Sequence, residues 1–426
     1  MNSFSNGIDF AKNLDEQDAL KSYRDKFYFP KMGKKEVLYF TGNSLGLQPK
    51  ATQDYVLNEL EDWASFGVEG HFMARNPWYS YHELLTNKTA RIVGAMPEEV
   101  IVMNQLTVNL HLLMVSFFKP GKIKKKIICE AKAFPSDLYA LQSQLRFHGL
   151  NPETDLILLE AQDGAHYLKE EDIYKAIEFH KEELALVMMG GVNFYSGQVL
   201  DMKAITKAGH QAGAVVGFDL AHAAGNVILN LHDWEVDFAC WCNYKYLNAG
   251  PGSVAGAFVH KKHLADKNLP LFAGWWGHNK TSRFKMESVF SPMETAERWQ
   301  LSNAPILSMA AYKASLDIFD EVGMDTLVQK SKMLTAYLAF TLLEINKLSP
   351  DGNPVLEIIT PQNRGAQLSI LLKKEGKGIF NKLMEKGVVT DWREPNVIRL
   401  APVPLYNSFL DIFQFGQLLA SILKNS

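Results

Sequence analysis

The stretch FACWCNYKYLNAGPG, residues 238–252, sets Lys245 between an apolar run and a glycine-rich turn. An ammonium group is costly to bury unless it is paired or loses its charge. Lys245 is therefore either a surface residue at a strand end or a nucleophile. Taken alone it reads as the former, because lysines after strands commonly face water. Upstream, AVVGFDLAHAAGN (214–226) closes an apolar run on Asp219 and adds His222 three residues on. A single strand-end aspartate often just caps the segment that follows. Two strands that each end in a charged residue, Asp219 and Lys245, are harder to assign to solvent. A desolvated lysine able to form an imine, with an acid able to hold a heterocyclic nitrogen protonated, is the pair that pyridoxal phosphate requires.

Such a cofactor also needs a phosphate cradle. NQLTVNLHLLMVSFF (104–118) offers a strand, a short turn and Thr107 as the expected cap of a helix, whose free N–H groups and positive dipole end would face an anion. Thr107 alone reads equally as an ordinary N-cap. GPGSVAG (250–256) lacks the glycine spacing and the lysine-serine ending of a phosphate loop. HKKH (260–263) has no acidic or cysteine companion, so no metal site is assigned.

The elements that would position these residues follow from periodicity. Short apolar runs VIVM (100–103), KIIC (126–129), LILL (156–159), LALVMM (184–189), AVVGF (214–218), VDFACW (236–241) and SVAGAFV (253–259) alternate mostly with helix-length amphipathic stretches. That alternation predicts an α/β core with a mostly parallel central sheet. In such a sheet, polar residues at the carboxyl ends of strands line the ligand crevice. Residues 1–65 read as an N-terminal arm that joins a smaller unit, 66–304 as the large domain, and 305–426 as a smaller α+β domain with strand candidates VLEII (355–359), QLSILL (367–372) and VIRLAP (397–402). A cleft between two such domains is where a ligand would sit.

The chain has 426 residues, 47% hydrophobic and 21% charged, with a formal net charge of −3. That composition excludes disorder as the main state and argues against a nucleic-acid or anionic-membrane partner. Its longest apolar run, LLMVSFF (112–118), is far too short to span a bilayer. Cys129, Cys240 and Cys242 sit in strand-like contexts, as core thiols of a reducing compartment would. A cytoplasmic protein is expected.

The chain resembles the kynureninase family, fold-type I pyridoxal-phosphate enzymes of the aspartate-aminotransferase superfamily. The resemblance runs through GNSLGLQP (42–49), LTVNLHLLMVSFFKP (106–120), EAKAFPSD (130–137), GFDLAHA (217–223), DFACWCNYKYLNAG (237–250), GWWGH (274–278) and IRLAPVPLYNS (398–408), which is nearly the whole chain. It implies that Lys245 bonds the cofactor aldehyde and Asp219 partners the pyridine nitrogen. It implies a phosphate site of Leu106 and Thr107 completed by Tyr244, Trp275 and Asn303. His222 and the loop Phe134, Pro135, Ser136 and Asp137 would pack on or bond the ring, with Phe134 stacking. One departure stands out: Gly190 occupies a place where close relatives often carry a hydroxyl residue. On the substrate side, Arg399 would clamp the α-carboxylate, since a guanidinium pairs bidentately with it. Ser44, His71, His278 and Asn303 would line the aryl side.

The implied reaction is hydrolytic Cβ–Cγ cleavage of L-kynurenine or its 3-hydroxy derivative to an anthranilate and L-alanine, a step of tryptophan catabolism toward NAD precursors. Lys245 would move the α-proton, with Tyr244 as candidate proton shuttle. The resemblance also implies a homodimer with shared active sites, Trp275 and Asn303 reaching across. Two alternatives stand beside it. A cysteine desulfurase-like lyase of the same fold needs an exposed reactive cysteine, whereas Cys129, Cys240 and Cys242 all read as buried. A catalytically silent cofactor-binding protein would not need both Lys245 and Arg399.

Overall fold

Seven strands build the central sheet of the computed structural model, which describes residues 4–162, 164–349 and 352–424. They are β1 (Val100–Met103), β2 (Lys126–Glu130), β3 (Leu156–Leu159), β4 (Leu184–Gly190), β5 (Val215–Asp219), β6 (Phe238–Trp241) and β7 (Ala255–Val259). Across the sheet the order is β1-β7-β6-β5-β4-β2-β3. The pairs from β6 through β3 are parallel, and β7 runs antiparallel to both β1 and β6. The α/β core is thus the expected one, with SVAGAFV inserted against the common direction. β6 is buried along its whole length, which is why its sequence is a continuous apolar run rather than an alternating one.

The covering helices carry legible signals. Met202–Gln211 buries Met202, Ile205, Thr206 and Gly209, one face at helical spacing. Asp201 caps it by accepting from the Ala204 N–H at 3.0 Å. Pro135 opens the helix Pro135–Phe147, where its missing N–H costs nothing. Apolar clusters fill both faces of the sheet, one including Val187, Phe218 and Trp241, the other Leu113, Cys129, Leu186 and Phe238. Burying each such side chain is worth about 1.5–3 kcal/mol.

The C-terminal part forms a four-stranded antiparallel sheet in the order Leu356–Ile358, Leu368–Leu372, Val397–Leu400, Asp391–Arg393. A third apolar cluster packs it against the helices Met324–Asn346 and Phe409–Lys424. The N-terminal arm joins this part in two ways. Leu38–Tyr39 pairs with Val388–Val389, and Asp15 accepts from the Phe409 and Leu410 N–H groups at 2.7 and 3.0 Å, capping the last helix.

One expected boundary does not coincide with a gap between cores. The helical pattern starting near Pro305 is broken at Gly323 into Ile306–Val322 and Met324–Asn346. The first of these packs on Thr52–Phe66 and Glu83–Val93. Its Met309, Tyr312, Leu316 and Phe319 belong to the cluster on one face of the central sheet. Residues 1–3 of the arm and 350–351 and 425–426 of the C-terminal part lie outside the described residues.

Candidate active site

Asp219 is the last residue of β5, and Lys245 follows β6 in a loop closed by three backbone-directed bonds: Asn243 Nδ2 to Val254 O at 2.8 Å, Ala249 N to Asn243 O at 3.0 Å and Asn248 N to Lys245 O at 3.1 Å. The GNSLGLQP segment docks on this loop. Gly46 N–H donates to Tyr244 O at 2.8 Å, and a Cβ at Gly46 would lie 2.4 Å from Lys245 O. Only glycine permits that approach.

Lys245 is 9% exposed, so the solvent-facing alternative does not describe it. Its Nζ lies 3.0 Å from His222 Nε2 and 5.7 and 5.9 Å from the centres of the Phe134 and Tyr244 rings. One pocket gathers Lys245 with Leu106, Thr107, Phe134, Ser136, Asp137, Asp219, His222 and Tyr244, together with Glu130, Gly190, Val192, Phe194 and Ala221. The segments near 106, 134, 219 and 244, far apart in sequence, thus converge at strand ends and helix starts.

Burial pushes the His222 imidazole well below its usual range, and Lys245 and Arg399 push the same way. The ring is neutral, accepts at Nε2 and leaves Nδ1 buried without a partner. The acids go the other way. Asp137 is pushed well above the usual carboxylate range by burial, by the charge of Asp219 and by a hydrogen bond with it. Its Oδ1 is buried and unpartnered. Asp219 Oδ1 accepts from the Ala221 N–H at 2.7 Å, capping a turn rather than a helix. Burial raises the Tyr244 hydroxyl, and neighbouring Cys242 adds to the shift, so Tyr244 stays a neutral donor.

Thr107 is corrected. The helix runs Leu106–Phe117 with Gln105 at the cap position and no side-chain cap bond, so Thr107 is its second residue. Its first-turn N–H groups receive no side-chain oxygen, which leaves the pocket a helix terminus suited to a phosphate. Pro135 serves the helix start and does not line the pocket.

Arg399 is 1% exposed on the strand Val397–Leu400, not at the surface. Its Nη1 donates to Phe194 O at 2.6 Å, its Nη2 to Asp391 Oδ2, and its Nε is buried without a partner. Ser44 Oγ donates to the same Asp391 oxygen at 2.6 Å, and Arg393 Nη2 reaches it at 3.3 Å. Phe194 joins this network to the pocket wall, standing edge-on to Phe134 at 5.2 Å.

Beyond Pro135, Ser44 and Arg399, which stand outside the pocket lining, His71, His278, Trp275 and Asn303 are not brought to it by this chain either. His71 bonds Val68 O at 2.9 Å, and His278 spends both ring nitrogens on Ser282 Oγ at 2.8 Å and the Ser291 N–H at 3.1 Å. Trp275 is exposed, with its indole N–H on Arg283 O at 3.1 Å, and Asn303 is exposed. Sequence reading missed Glu130, Phe194 and Asp391. Glu130 ends β2 as Asp219 ends β5, so the strand-end rule applied to KIICE would have found it. Nothing local marks the other two.

The Aminotransferase class-V family matches residues 38–363, and the Kynureninase C-terminal domain matches residues 327–419. A kynureninase of Flavobacterium psychrophilum is 58% identical over 426 residues, 99% of this chain and 100% of that protein. One from Nematostella vectensis is 44% identical, covering 98% of this chain and 94% of that protein. Among solved structures, the cystine C–S lyase C-DES, with glycine covalently linked to its pyridoxal-phosphate cofactor, superposes with a TM-score of 0.76 at 16% identity, covering 93% of this chain and 98% of that one. A cysteine desulfurase from Thermococcus onnurineus NA1 gives 0.73 at 16% identity, covering 92% and 95%. Likeness at that identity shows the fold, whereas the full-length identity shows the lineage: the chain belongs to the kynureninase family, with the fold of pyridoxal-phosphate enzymes.

Proposed function

We propose that the protein binds pyridoxal 5'-phosphate and hydrolyses the Cβ–Cγ bond of L-kynurenine or L-3-hydroxykynurenine, releasing anthranilate or 3-hydroxyanthranilate and L-alanine. The observation that carries this reading is the pocket in which buried Lys245 meets Asp219, His222 and an uncapped helix terminus, in a chain of this family. The pocket fits the cofactor on its own evidence, because Asp137 Oδ1 and His222 Nδ1 are buried and unspent. When bound, the cofactor supplies an electron sink for the bonds broken next to the substrate amine.

Lys245 would bond its aldehyde, Asp219 would pair with its ring nitrogen, and Leu106, Thr107 and Tyr244 would hold its phosphate. Asp137, Ser136 and Phe134 would border the ring with His222, while Pro135 opens the helix that carries them. Neutral His222 stands 3.0 Å from Lys245 Nζ through its Nε2, which orients the amine in the pocket. Lys245 Nζ, the amine that projects into the pocket, is the group that would take and return the substrate α-proton. The Tyr244 hydroxyl, held neutral by burial, can donate a proton to a developing anion. Arg399 would receive the substrate carboxylate on its unspent Nε and an adjacent Nη. Ser44, through Asp391, holds that guanidinium in place.

Trp275 and Asn303, together with His71 and His278, are proposed to complete the site of a second copy in a homodimer. Their absence from the lining of this chain's own pocket supports that, as does an exposed aromatic patch in which Phe284 meets Phe72 at 6.4 Å and Trp275 at 5.5 Å. A cytoplasmic location is proposed with it. No helix among the described residues is long and apolar enough to cross a membrane, and all three cysteines are free and buried. The arm 1–65, large unit 66–304 and small unit 305–426 remain our proposed division, with Ile306–Val322 sharing the large unit's core.

A desulfurase reading is disfavoured because Cys129, Cys240 and Cys242 are buried thiols, each pushed up by burial and so far from the thiolate form. The deciding experiment is Lys245→Ala. The variant should keep the far-ultraviolet spectrum of the parent, lose the visible band of the bound cofactor and release no fluorescent anthranilate from kynurenine. Near-native cleavage by it would refute the assignment.

A further inference from the structure

We propose that Glu130 is a positioning residue of the cofactor pocket, its carboxyl filling the side-chain place that Gly190 leaves open beside Asp219. The proposal rests on the pyridoxal-phosphate reading above. β4 lies between β2 and β5, so their carboxyl ends set Glu130, Gly190 and Asp219 side by side, with Gly190 in register with Asp219. A Cβ added at Gly190 would lie 2.9 Å from Glu130 Oε1. The space above this glycine is therefore already taken, and a hydroxyl residue there would force Glu130 to move.

The carboxyl is held rather than merely present. Asn193 Nδ2 donates to Glu130 Oε1 at 3.2 Å. The orientation of that amide is set by its other end, since Asn193 Oδ1 accepts from Tyr195 N at 3.0 Å, Ser196 N at 2.9 Å and Ser196 Oγ at 3.1 Å. Glu130 is 4% exposed and also borders a second cavity of about 320 Å³, shared with Lys132, His166 and Asn193. It is thus the partition between that cavity and the cofactor pocket.

Its charge state suits the role. Burial raises the carboxyl to about 8, with Asn193 opposing and the charge of Asp219 adding to the rise. Asp219, Asp137, Lys245, Tyr244 and neutral His222 share the pocket with it, and Lys132, Glu160, His166 and Tyr167 the second cavity. A neutral Glu130 supplies shape and hydrogen bonding without setting a second anion next to Asp219.

The test compares the parent with Glu130→Gln, Glu130→Ala, Gly190→Ser and the double variant Glu130→Ala with Gly190→Ser. The dissociation constant of pyridoxal phosphate is read from the visible absorbance on titrating each apoenzyme, and folding is checked by circular dichroism. Glu130→Gln should bind within about threefold of the parent, while Glu130→Ala and Gly190→Ser should each bind about tenfold or more weakly. The double variant should be no weaker than Glu130→Ala alone, because the serine is harmful only when it meets the glutamate. A pH titration of the bound cofactor's absorbance should show a step near 8 that Glu130→Gln lacks. Multiplicative losses in the double variant, or an undiminished affinity in Glu130→Ala, would overturn the proposal. A parent that binds no pyridoxal phosphate would overturn the cofactor reading as well, which separates the two failures.

Discussion

Replacing Arg399 by lysine keeps a cation but removes the fork, and the structure says what that should cost. Of the three donor groups of Arg399, Nη1 is spent on Phe194 O at 2.6 Å and Nη2 on Asp391, while Nε is buried with no partner. Nε is therefore the donor left for a substrate carboxylate, and Nη2 is shared when Asp391 falls back on Ser44 and Arg393. A hydrogen bond to a charged group is worth about 1.5–3 kcal/mol, and a lysine point charge cannot replace the second contact of a bidentate pair. The loss of one such bond corresponds to a rise of about 10- to 150-fold in KM for kynurenine. The assay is steady-state cleavage followed by anthranilate fluorescence, with L-alanine as product inhibitor. Alanine carries the same carboxylate, so its inhibition constant should rise by a similar factor. An analogue lacking the carboxylate should be handled alike by both proteins. A KM within threefold of the parent, or an unchanged alanine constant, would refute the assignment of Arg399.

Mixing Lys245→Ala with a Trp275→Ala, Asn303→Ala variant should restore about a quarter of the active sites after subunit exchange, because one site in each mixed dimer then has both sets of residues. No recovery would mean that both sets serve the same chain's site. Replacing His71 and Asn303 together by apolar residues should shift the ratio of kcat/KM values from 3-hydroxykynurenine toward kynurenine, by about 1–3 kcal/mol for each lost polar contact. A parent-like ratio would place ring-hydroxyl recognition elsewhere. The pH dependence of folding has a definite sign. Glu130 ionises near 4.5 when unfolded and is raised to about 8 in the folded chain, so the folded state holds the extra proton between those values. Stability should fall as pH rises across that window, by at most about 5 kcal/mol from this group. Asp137 acts in the same direction. Urea unfolding of the cofactor-free protein between pH 5 and 8 should show a flatter slope in Glu130→Gln, and equal slopes would deny Glu130 its buried, neutral state.

The α/β core, the convergence of Lys245 and Asp219 at neighbouring strand ends, and the burial of the cysteines were legible in the residues themselves. Interior strands such as KIIC and LALVMM announce themselves because a parallel sheet covered on both faces buries them, so burial is written as a nearly continuous apolar run. A charged residue at the end of such a run is legible for the same reason, since it must have a partner or a task. Thr107 was misread as a cap because capping depends on where the first turn begins, which the residue type does not say.

What only the tertiary structure decided are the relations between segments. The lysine loop is seated on Gly46, some two hundred residues earlier in the chain, because a side chain there would strike Lys245 O. Arg399 is buried and steered by Asp391 and Phe194, partners that no spacing in VIRLAP foretells. Ile306–Val322 joins the core of the large sheet although its helical pattern reads as continuous with the next helix. Gly190 was a missing hydroxyl in the sequence and a place taken by Glu130 in space. Periodicity records which face of an element is buried, whereas the neighbour across the gap is set by strand order and packing. That is why many of the residues that meet in this pocket could be named from the sequence and its geometry could not.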